Sequence, residues 1–597
     1  MKPYILKPHL TRKSTFMATD DARVPRELLE TQPTAPVLDG FPYPLPSLKS
    51  EYTCSAKGSN GVEWFGGKTG ITRFDKNAER KEDIIMYFSA RRHIPSDNVL
   101  NILADGDGLW ALTDKGVAHI EMEMLTSEER AEILLDETNT FVKRRGMVSQ
   151  REIREHRNPE SVYPYTASDN DGTFTACHEV GELFRYATFK RELGEDNPKT
   201  RQARLSATES CEACLLLMYI HGREEGFIAR SYHLTGEPVP DDGIFYKRNG
   251  DTATCLETTQ STRRGRNGEK IPCTHPIPDR LAALYRNLGF TEDDITYKAD
   301  TSSDEVTHQF LQMKLAHDIL GPDDPELDEI IKDACRRTMK HIIDGGFEFR
   351  EHSGESTTWA KWSRDYFKSG AGYVDAPLNA AELLMYLKVT MYVTGEKGIW
   401  QETHDKLIAD GYADLALKHR DRFYQGAMNC DCLPEEDLMY GDHMLALSTF
   451  WMLTQLEDDE KMLGVYRTAF KTWSDTLLRE HNPGYDFPYK LSCPDEFIDI
   501  EKDVEWFNRF EKSRLAASVR LERHDIPIRT KRGDVDWAEL SALLPPDERF
   551  ITKYDRNPFD NKKQSVEDDL VIEGCYNYTF AYWIGRYYGF IAEEGNR

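Results

Sequence analysis

Thr126-Ser-Glu-Glu-Arg-Ala-Glu-Ile-Leu-Leu135 is the stretch on which the fold turns. Thr126 followed three residues later by Glu129 is a capping box, in which each side chain accepts the other's orphan backbone N–H at a helix start. The helix it opens is predicted to run to about Arg145. Beyond it the same theme recurs: apolar residues at i, i+3, i+4 and i+7, separated by loops containing Gly and Pro. Helices are predicted over 176–188, 204–220, 304–319, 327–343, 380–394, 399–420, 443–457, 460–480 and about 576–592. Paired helices at roughly 50-residue spacing read as a toroid of helical hairpins. The main rival is a tetratricopeptide array, but its roughly 34-residue signature does not recur. Residues 490–570 are polar and read as an irregular excursion over one face.

Upstream of Thr126 the pattern changes. Residues 1–50 read as an extended arm ending in Phe41-Pro-Tyr-Pro-Leu-Pro46, which cannot be helical. Residues 51–122 read as a small β-rich module. In it, Val62-Glu-Trp-Phe-Gly-Gly-Lys-Thr-Gly-Ile71 is echoed by Gly108-Leu-Trp-Ala-Leu-Thr-Asp-Lys-Gly-Val117. Each Trp is followed six residues later by Gly and then a β-branched residue. The echo resembles the blade repeat of the sensor propellers attached to two-component regulators. Fewer than two repeats are present, and a propeller needs at least about four blades. The module is therefore expected to pack on the helical body, or to join a second copy in a homo-oligomer.

Composition narrows the function. The 597 residues carry a formal charge of −27, with 10 Trp, 28 Tyr and 27 Phe. Such an acid excess argues against a nucleic-acid partner, which asks for a basic stripe, and against docking on an anionic membrane. No stretch approaches the roughly 18 apolar residues of a membrane span, and the N-terminus lacks a signal-peptide core. A cytoplasmic location is the expectation, unless a leader was trimmed. Eleven cysteines, without a framework, fit a reducing compartment. Cys211-Glu-Ala-Cys214 and Cys430-Asp-Cys432 are close pairs, yet no second CxxC or His pair completes a zinc set. Cys211 and Cys214 read instead as one buried helix face. Motifs for phosphate-cradling loops, dinucleotide binding or zinc proteolysis are missing, and neither cofactor nor metal is expected.

Chemistry is concentrated in polar, aromatic-flanked segments at helix starts. Tyr163-Pro-Tyr-Thr-Ala-Ser-Asp-Asn-Asp-Gly-Thr-Phe-Thr175 places Asp169 and Asp171 before a helix containing His178. Gly226-Phe-Ile-Ala-Arg-Ser-Tyr-His233 adds Arg230 and Tyr232. Tyr297-Lys-Ala-Asp-Thr-Ser-Ser-Asp-Glu-Val-Thr-His308 gathers Asp300, Asp304, Glu305 and His308. There, Ser302 and Glu305 have capping-box spacing, which leaves Asp304 and His308 on one face. Thr357-Thr-Trp-Ala-Lys-Trp-Ser363 supplies Trp359 and Trp362, in what reads as a loop suited to stacking on a sugar ring. Asp375-Ala-Pro-Leu-Asn379, Tyr440-Gly-Asp-His443 and Arg479-Glu-His-Asn-Pro-Gly-Tyr-Asp486 contribute Asn379, His443 and Tyr485.

Over residues 126–597 this arrangement resembles the carbohydrate-active enzymes built on an (α/α)6 barrel, among them inverting glycosidases, unsaturated glucuronyl hydrolases and polysaccharide lyases. The resemblance implies a mainly α fold, an (α/α)6 toroid with the small N-terminal β-module, acting on an oligosaccharide or polysaccharide. As a glycoside hydrolase, the enzyme would pair acids from different loops, such as Asp171 with Asp304, across the gap that an attacking water needs. As a polysaccharide lyase, it would use Tyr232 or His178 to move the proton beside a uronate, with Arg230 neutralising the carboxylate. A noncatalytic glycan sensor is the third expectation, from the propeller-like echo. Asp169, Asp171, Asp304, His178, His308 and Tyr232 are the catalytic candidates. Arg230, Trp359, Trp362, Asn379, His443 and Tyr485 are the substrate-binding candidates.

Overall fold

The computed structural model describes the chain except for residues 1, 91, 156–157, 165–168, 419–439, 513–522, 527–542, 550–557, 559–570 and 595–597. The capping box forms as read: Glu129 N–H donates to Thr126 Oγ1 at 3.1 Å and Thr126 N–H to Glu129 Oε2 at 2.8 Å. It opens α1 (Ser127–Glu137). After it come α2 (Asp171–Leu193), α3 (Pro198–Leu216), α4 (Ser303–Ile319), α5 (Pro325–Asp344), α6 (Gly370–Thr394) and α7 (Gly398–Ala409). The series continues with α8 (Tyr440–Leu456), α9 (Glu460–Leu477), α10 (Pro483–Ser492), α11 (Ile500–Arg509) and α12 (Tyr576–Tyr588).

The even-numbered helices close a ring. α2 packs on α4, α4 on α6, α6 on α8, α8 on α10, α10 on α12, and α12 returns to α2. The odd-numbered helices lie outside: α3 on α2, α5 on α6, α7 on α6, α9 on α8, α11 on α10 and α1 on α12. Burial separates the two sets. In α5 a stripe of Leu327, Ile331, Ala334, Cys335, Thr338, Met339 and Ile342 is buried, the one-sided pattern of a helix with a wet face. In α2 burial is continuous from Asp171 to Tyr186, and in α8 from His443 to Leu453, because ring helices have neighbours on every side. The predicted helix over 399–420 instead ends at Ala409, and Gly411 follows at φ +83. The stretch read as irregular contains α11, whose buried face includes Val504, Trp506 and Phe507. Most of the rest of that stretch, and the Cys430 and Cys432 pair, lie outside the described residues.

The N-terminal arm is more than an extended tether. β1 (Tyr4–Leu6) pairs in parallel with β19 (Ile591–Glu593), and β2 (His9–Met17) pairs along its whole length with β9 (Gly116–Leu125). The module holds two four-stranded antiparallel sheets. One is β3 (Tyr52–Lys57), β4 (Glu63–Gly67), β5 (Gly70–Phe74) and β6 (Ile85–Phe88). In the other, β7 (Val99–Asp105), β8 (Gly108–Thr113) and β9 are completed by β2 from the arm. The echoed motifs occupy equivalent places: Trp64 on β4 opposes Arg73, and Trp110 on β8 opposes His119. Their surroundings differ. Trp64 is buried between the sheets, whereas Trp110 stacks on His119 with ring centroids 4.0 Å apart.

A second β-structure had no counterpart in the sequence reading. Between α3 and α4, five antiparallel strands lie in the order β11 (Ser231–Leu234), β15 (Ile295–Lys298), β12 (Phe245–Asn249), β13 (Thr252–Cys255) and β14 (Lys270–Pro272). Between α5 and α6, β16 (Glu348–Arg350) and β17 (Ser356–Lys361) form a hairpin, so Trp359 stands on a strand and not in a loop. Strands of four residues interrupted by turns give too short a period-2 signal to separate from loops.

Candidate active site

A cleft of about 340 Å³ opens at the N-terminal ends of ring helices α2, α4, α6 and α8. Asn170 and Thr173 enter it from α2, Asp304 from α4, Asp375 and Asn379 from α6, and Asp442 from α8. Arg230 and Trp359 add a cation and an aromatic face from the two β-structures. Helix N-termini expose unpaired N–H groups and the positive end of the dipole, a setting that favours carboxylates and polar substrates.

Asp304 is held on both oxygens, by the Asn170 amide and by the Ser302 hydroxyl. These two contacts correct the predicted cap. Ser302 is the N-cap of α4 but spends its hydroxyl on Asp304, and Glu305 turns inward to accept from Thr173 Oγ1 at 3.0 Å. Burial, reinforced by Asp304, pushes the Glu305 carboxyl well above the usual carboxylate range. Asp375 accepts a 2.6 Å hydrogen bond from the Tyr366 hydroxyl, and Asn379 is fixed by donating to Lys361 O at 2.8 Å.

The other wall is built by strand register. Ser231 of β11 opposes Lys298 of β15, so Arg230 and Asp300 emerge at the same end of neighbouring strands. The Arg230 N–H donates to Lys298 O at 2.9 Å, and its guanidinium donates to Asp169 O at 2.7 Å and Asp300 O at 3.3 Å. Asp300 has φ +58, a left-handed conformation that a short Asp tolerates better than most residues. Its side chain accepts from the Thr358 N–H at 2.9 Å, which ties β17 and the 57% exposed Trp359 to the same wall.

Among the candidates read from sequence, Asp304, Arg230, Trp359 and Asn379 line the cleft. The remaining ones have other surroundings. Asp171 is buried in an ion pair with Arg144 at 3.0 Å and accepts from Ser231 Oγ at 2.5 Å, so it anchors the start of α2. Asp169 is exposed and paired with Lys298, and contributes its carbonyl to Arg230. His178 is fully buried within α2, where desolvation lowers its pKa to about 4. His308 packs beneath the cleft: its Nδ1 donates to Asp304 O at 2.9 Å, leaving Nε2 to accept from Ser448 Oγ at 3.5 Å, and burial lowers its pKa. Tyr232 is buried and accepts from Arg145 Nε at 3.0 Å. Trp362 is buried with its indole N–H on Glu382 at 2.8 Å, unlike the sugar platform expected of it. His443 donates from Nδ1 to Trp473 O at 2.9 Å, and Tyr485 packs against Tyr440. Cys211 and Cys214 are buried free thiols.

Two cleft acids, Asp375 and Asp442, were passed over within segments the sequence reading had singled out. Asp375 lies one helical turn before Asn379 and shares its face. Asp442 and His443 are adjacent, so they point some 100° apart, and only the acid reaches the cleft.

Neither a known family model nor any curated protein matches the chain. Among solved structures, a Bacteroides ovatus protein described as GH9 is similar over 89% of this chain and 93% of its own, at 8% identity and a TM-score of 0.37. A single mutant of a thermostable endoglucanase from Alicyclobacillus acidocaldarius is similar over 90% and 98%, at 12% identity and a TM-score of 0.35. Among the described residues no helix is long and apolar enough to cross a membrane.

Proposed function

We propose that the chain is a glycoside hydrolase whose helical ring is an (α/α)6 toroid, cleaving an oligosaccharide or polysaccharide in the cleft at the ring-helix N-termini. One observation carries the reading: Asp304, Asp375 and Asp442, from three successive ring helices, line a single cleft beside the exposed Trp359. Glycosidic cleavage needs one carboxyl to protonate the leaving oxygen and another to act on the opposite face of the sugar. Asp304 and Asp442 are the pair, on α4 and α8, which flank α6. Asp304 is the base, its two oxygens held as acceptors by the Asn170 amide and the Ser302 hydroxyl. Asp442 is the acid. Asp375 and Asn379 bind sugar hydroxyls, and Trp359 stacks on the apolar face of a ring.

The lyase mechanism is not favoured, since Tyr232 and His178, its expected base and acid, are buried outside the cleft. The test is a panel of plant, algal and host glycans, followed by reducing ends, by absorbance near 235 nm (a general signature of unsaturated uronates) and by proton NMR of the first product. Reducing ends without new absorbance, and inversion at the anomeric carbon, are expected. Absorbance rising with cleavage would overturn hydrolysis, and retention would overturn the water-spaced pair. Tight binding of a glycan that is never cleaved would make the cleft a sensor.

A further inference from the structure

Arg230 lines the cleft and forms no close ion pair with a carboxylate among the described residues, although its charge acts on the buried Glu305. Its hydrogen bonds, from Nε at 2.7 Å and from Nη1 at 3.3 Å, both end on backbone carbonyls, of Asp169 and Asp300. The carboxylates of those two residues are engaged elsewhere: Asp169 with Lys298, and Asp300 with Arg264 at 3.1 Å and with Thr358. An arginine has five N–H donors in a planar fork, so most of this one remains open to a ligand. One of the two anchoring carbonyls belongs to Asp300 in its left-handed conformation at φ +58. Strained, over-determined backbone of this kind gathers at ligand clamps.

We propose that Arg230 is the subsite for the anionic substituent of an acidic sugar, a uronate carboxylate or a sulfate ester, on the chain that Asp304 and Asp442 cleave. This rests on the glycosidase reading and adds the substrate class to it. Charge distribution supports the assignment. Asp304, Asp375 and Asp442 repel an anion placed near them, while the guanidinium offers it a bidentate, charge-assisted contact. A charged sugar therefore has one place in the cleft, and the register of the glycan across the acids follows from it. A neutral glycan has no such preference.

The test uses the full-length protein and three probes: an oligogalacturonate, its carboxyl-reduced neutral counterpart, and a sulfated galactan oligosaccharide of equal length. Calorimetry gives affinity, and reducing-end release gives turnover. The expected result is at least tenfold tighter binding of an acidic probe than of the reduced one. Arg230→Gln abolishes that difference between the acidic and reduced probes, while Arg230→Lys retains part of it. Preference for the sulfated over the uronate probe assigns the subsite to a sulfate ester, and the reverse assigns it to a carboxylate. Equal affinity of the wild type for all three probes overturns the proposal, as does an Arg230→Gln variant that weakens all three alike. Arg230-dependent binding of an acidic probe without cleavage of any glycan would leave the anion subsite standing and sink the hydrolase reading. Cleavage of the neutral probe indifferent to Arg230 would do the opposite.

Discussion

Asp300 joins two parts of the cleft wall: its side chain accepts the Thr358 N–H at 2.9 Å, and its carbonyl accepts the Arg230 guanidinium at 3.3 Å. It is a positioning residue for both Arg230 and Trp359. Asp300→Gly keeps the left-handed backbone, which glycine adopts freely, but removes the carboxylate that holds Thr358 and Arg264. KM is expected to rise about tenfold, equivalent to about 1.4 kcal/mol, with kcat changed less than about twofold. Steady-state kinetics on the best glycan check this, and a fall in kcat with unchanged KM would contradict the positioning role.

Asp304 and Asp171 should part company under the same substitution. Asp304→Asn is expected to lower kcat by about 10²–10⁴ with little change in melting temperature. Asp171→Asn removes the carboxylate paired with the buried Arg144 at 3.0 Å, and breaking a buried pair costs about 3–5 kcal/mol. Its activity per folded molecule should stay near wild type. Denaturant titration alongside kinetics separates the two, and a stable but inactive Asp171→Asn would return that residue to the catalytic pair.

The two tryptophans of the 357–363 segment also diverge. Trp359 is 57% exposed, so Trp359→Ala should change stability by no more than about 0.5 kcal/mol while weakening glycan binding. Trp362 is buried against Glu382, and Trp362→Ala should cost about 3–5 kcal/mol through a cavity and a stranded carboxyl. Melting curves and binding isotherms of both variants decide it.

Stability should decline as pH rises through neutrality to about 8. Burial pushes the carboxyls of Glu179 and Glu382 up to about 8, and that of Glu351 to about 7. A carboxyl with a raised folded pKa binds its proton more tightly in the native state, so stability falls as pH climbs from the unfolded toward the folded value. Buried histidines act in the opposite sense lower down. His178, lowered to about 4 by burial, loses stability as pH drops below its unfolded value of about 6.5. Between about pH 6.5 and 8 the carboxyls act without that opposition. The melting temperature is expected to drop by several degrees across this window, and Glu382→Gln, which keeps an acceptor for Trp362, should flatten the slope. A flat profile in the wild type would show that these carboxyls ionise without penalty.

How far the sequence could be read depended on the range of the signal. The Thr126 and Glu129 cap, the stripe of α5 and the Trp64 and Trp110 echo are local patterns, set by side chains a few residues apart, and each has its structural counterpart. Asp304, Arg230, Trp359 and Asn379 were accessible in the same way, as polar or aromatic residues in segments flanking predicted helices. The short strands carrying Arg230 and Asp300 were not, because their pairing joins residues more than 60 positions apart. Nor could spacing tell Asp442 from His443, or Trp359 from Trp362, since which neighbour meets solvent depends on what packs against the element. By itself the sequence determined the helical hairpins, the β-rich character of the N-terminal part and the segments from which residues reach the cleft. The closed ring, and the choice of which side chains within those segments share a cleft, were decided by tertiary packing, because burial and charge pairing are properties of surfaces that meet only once the chain has folded.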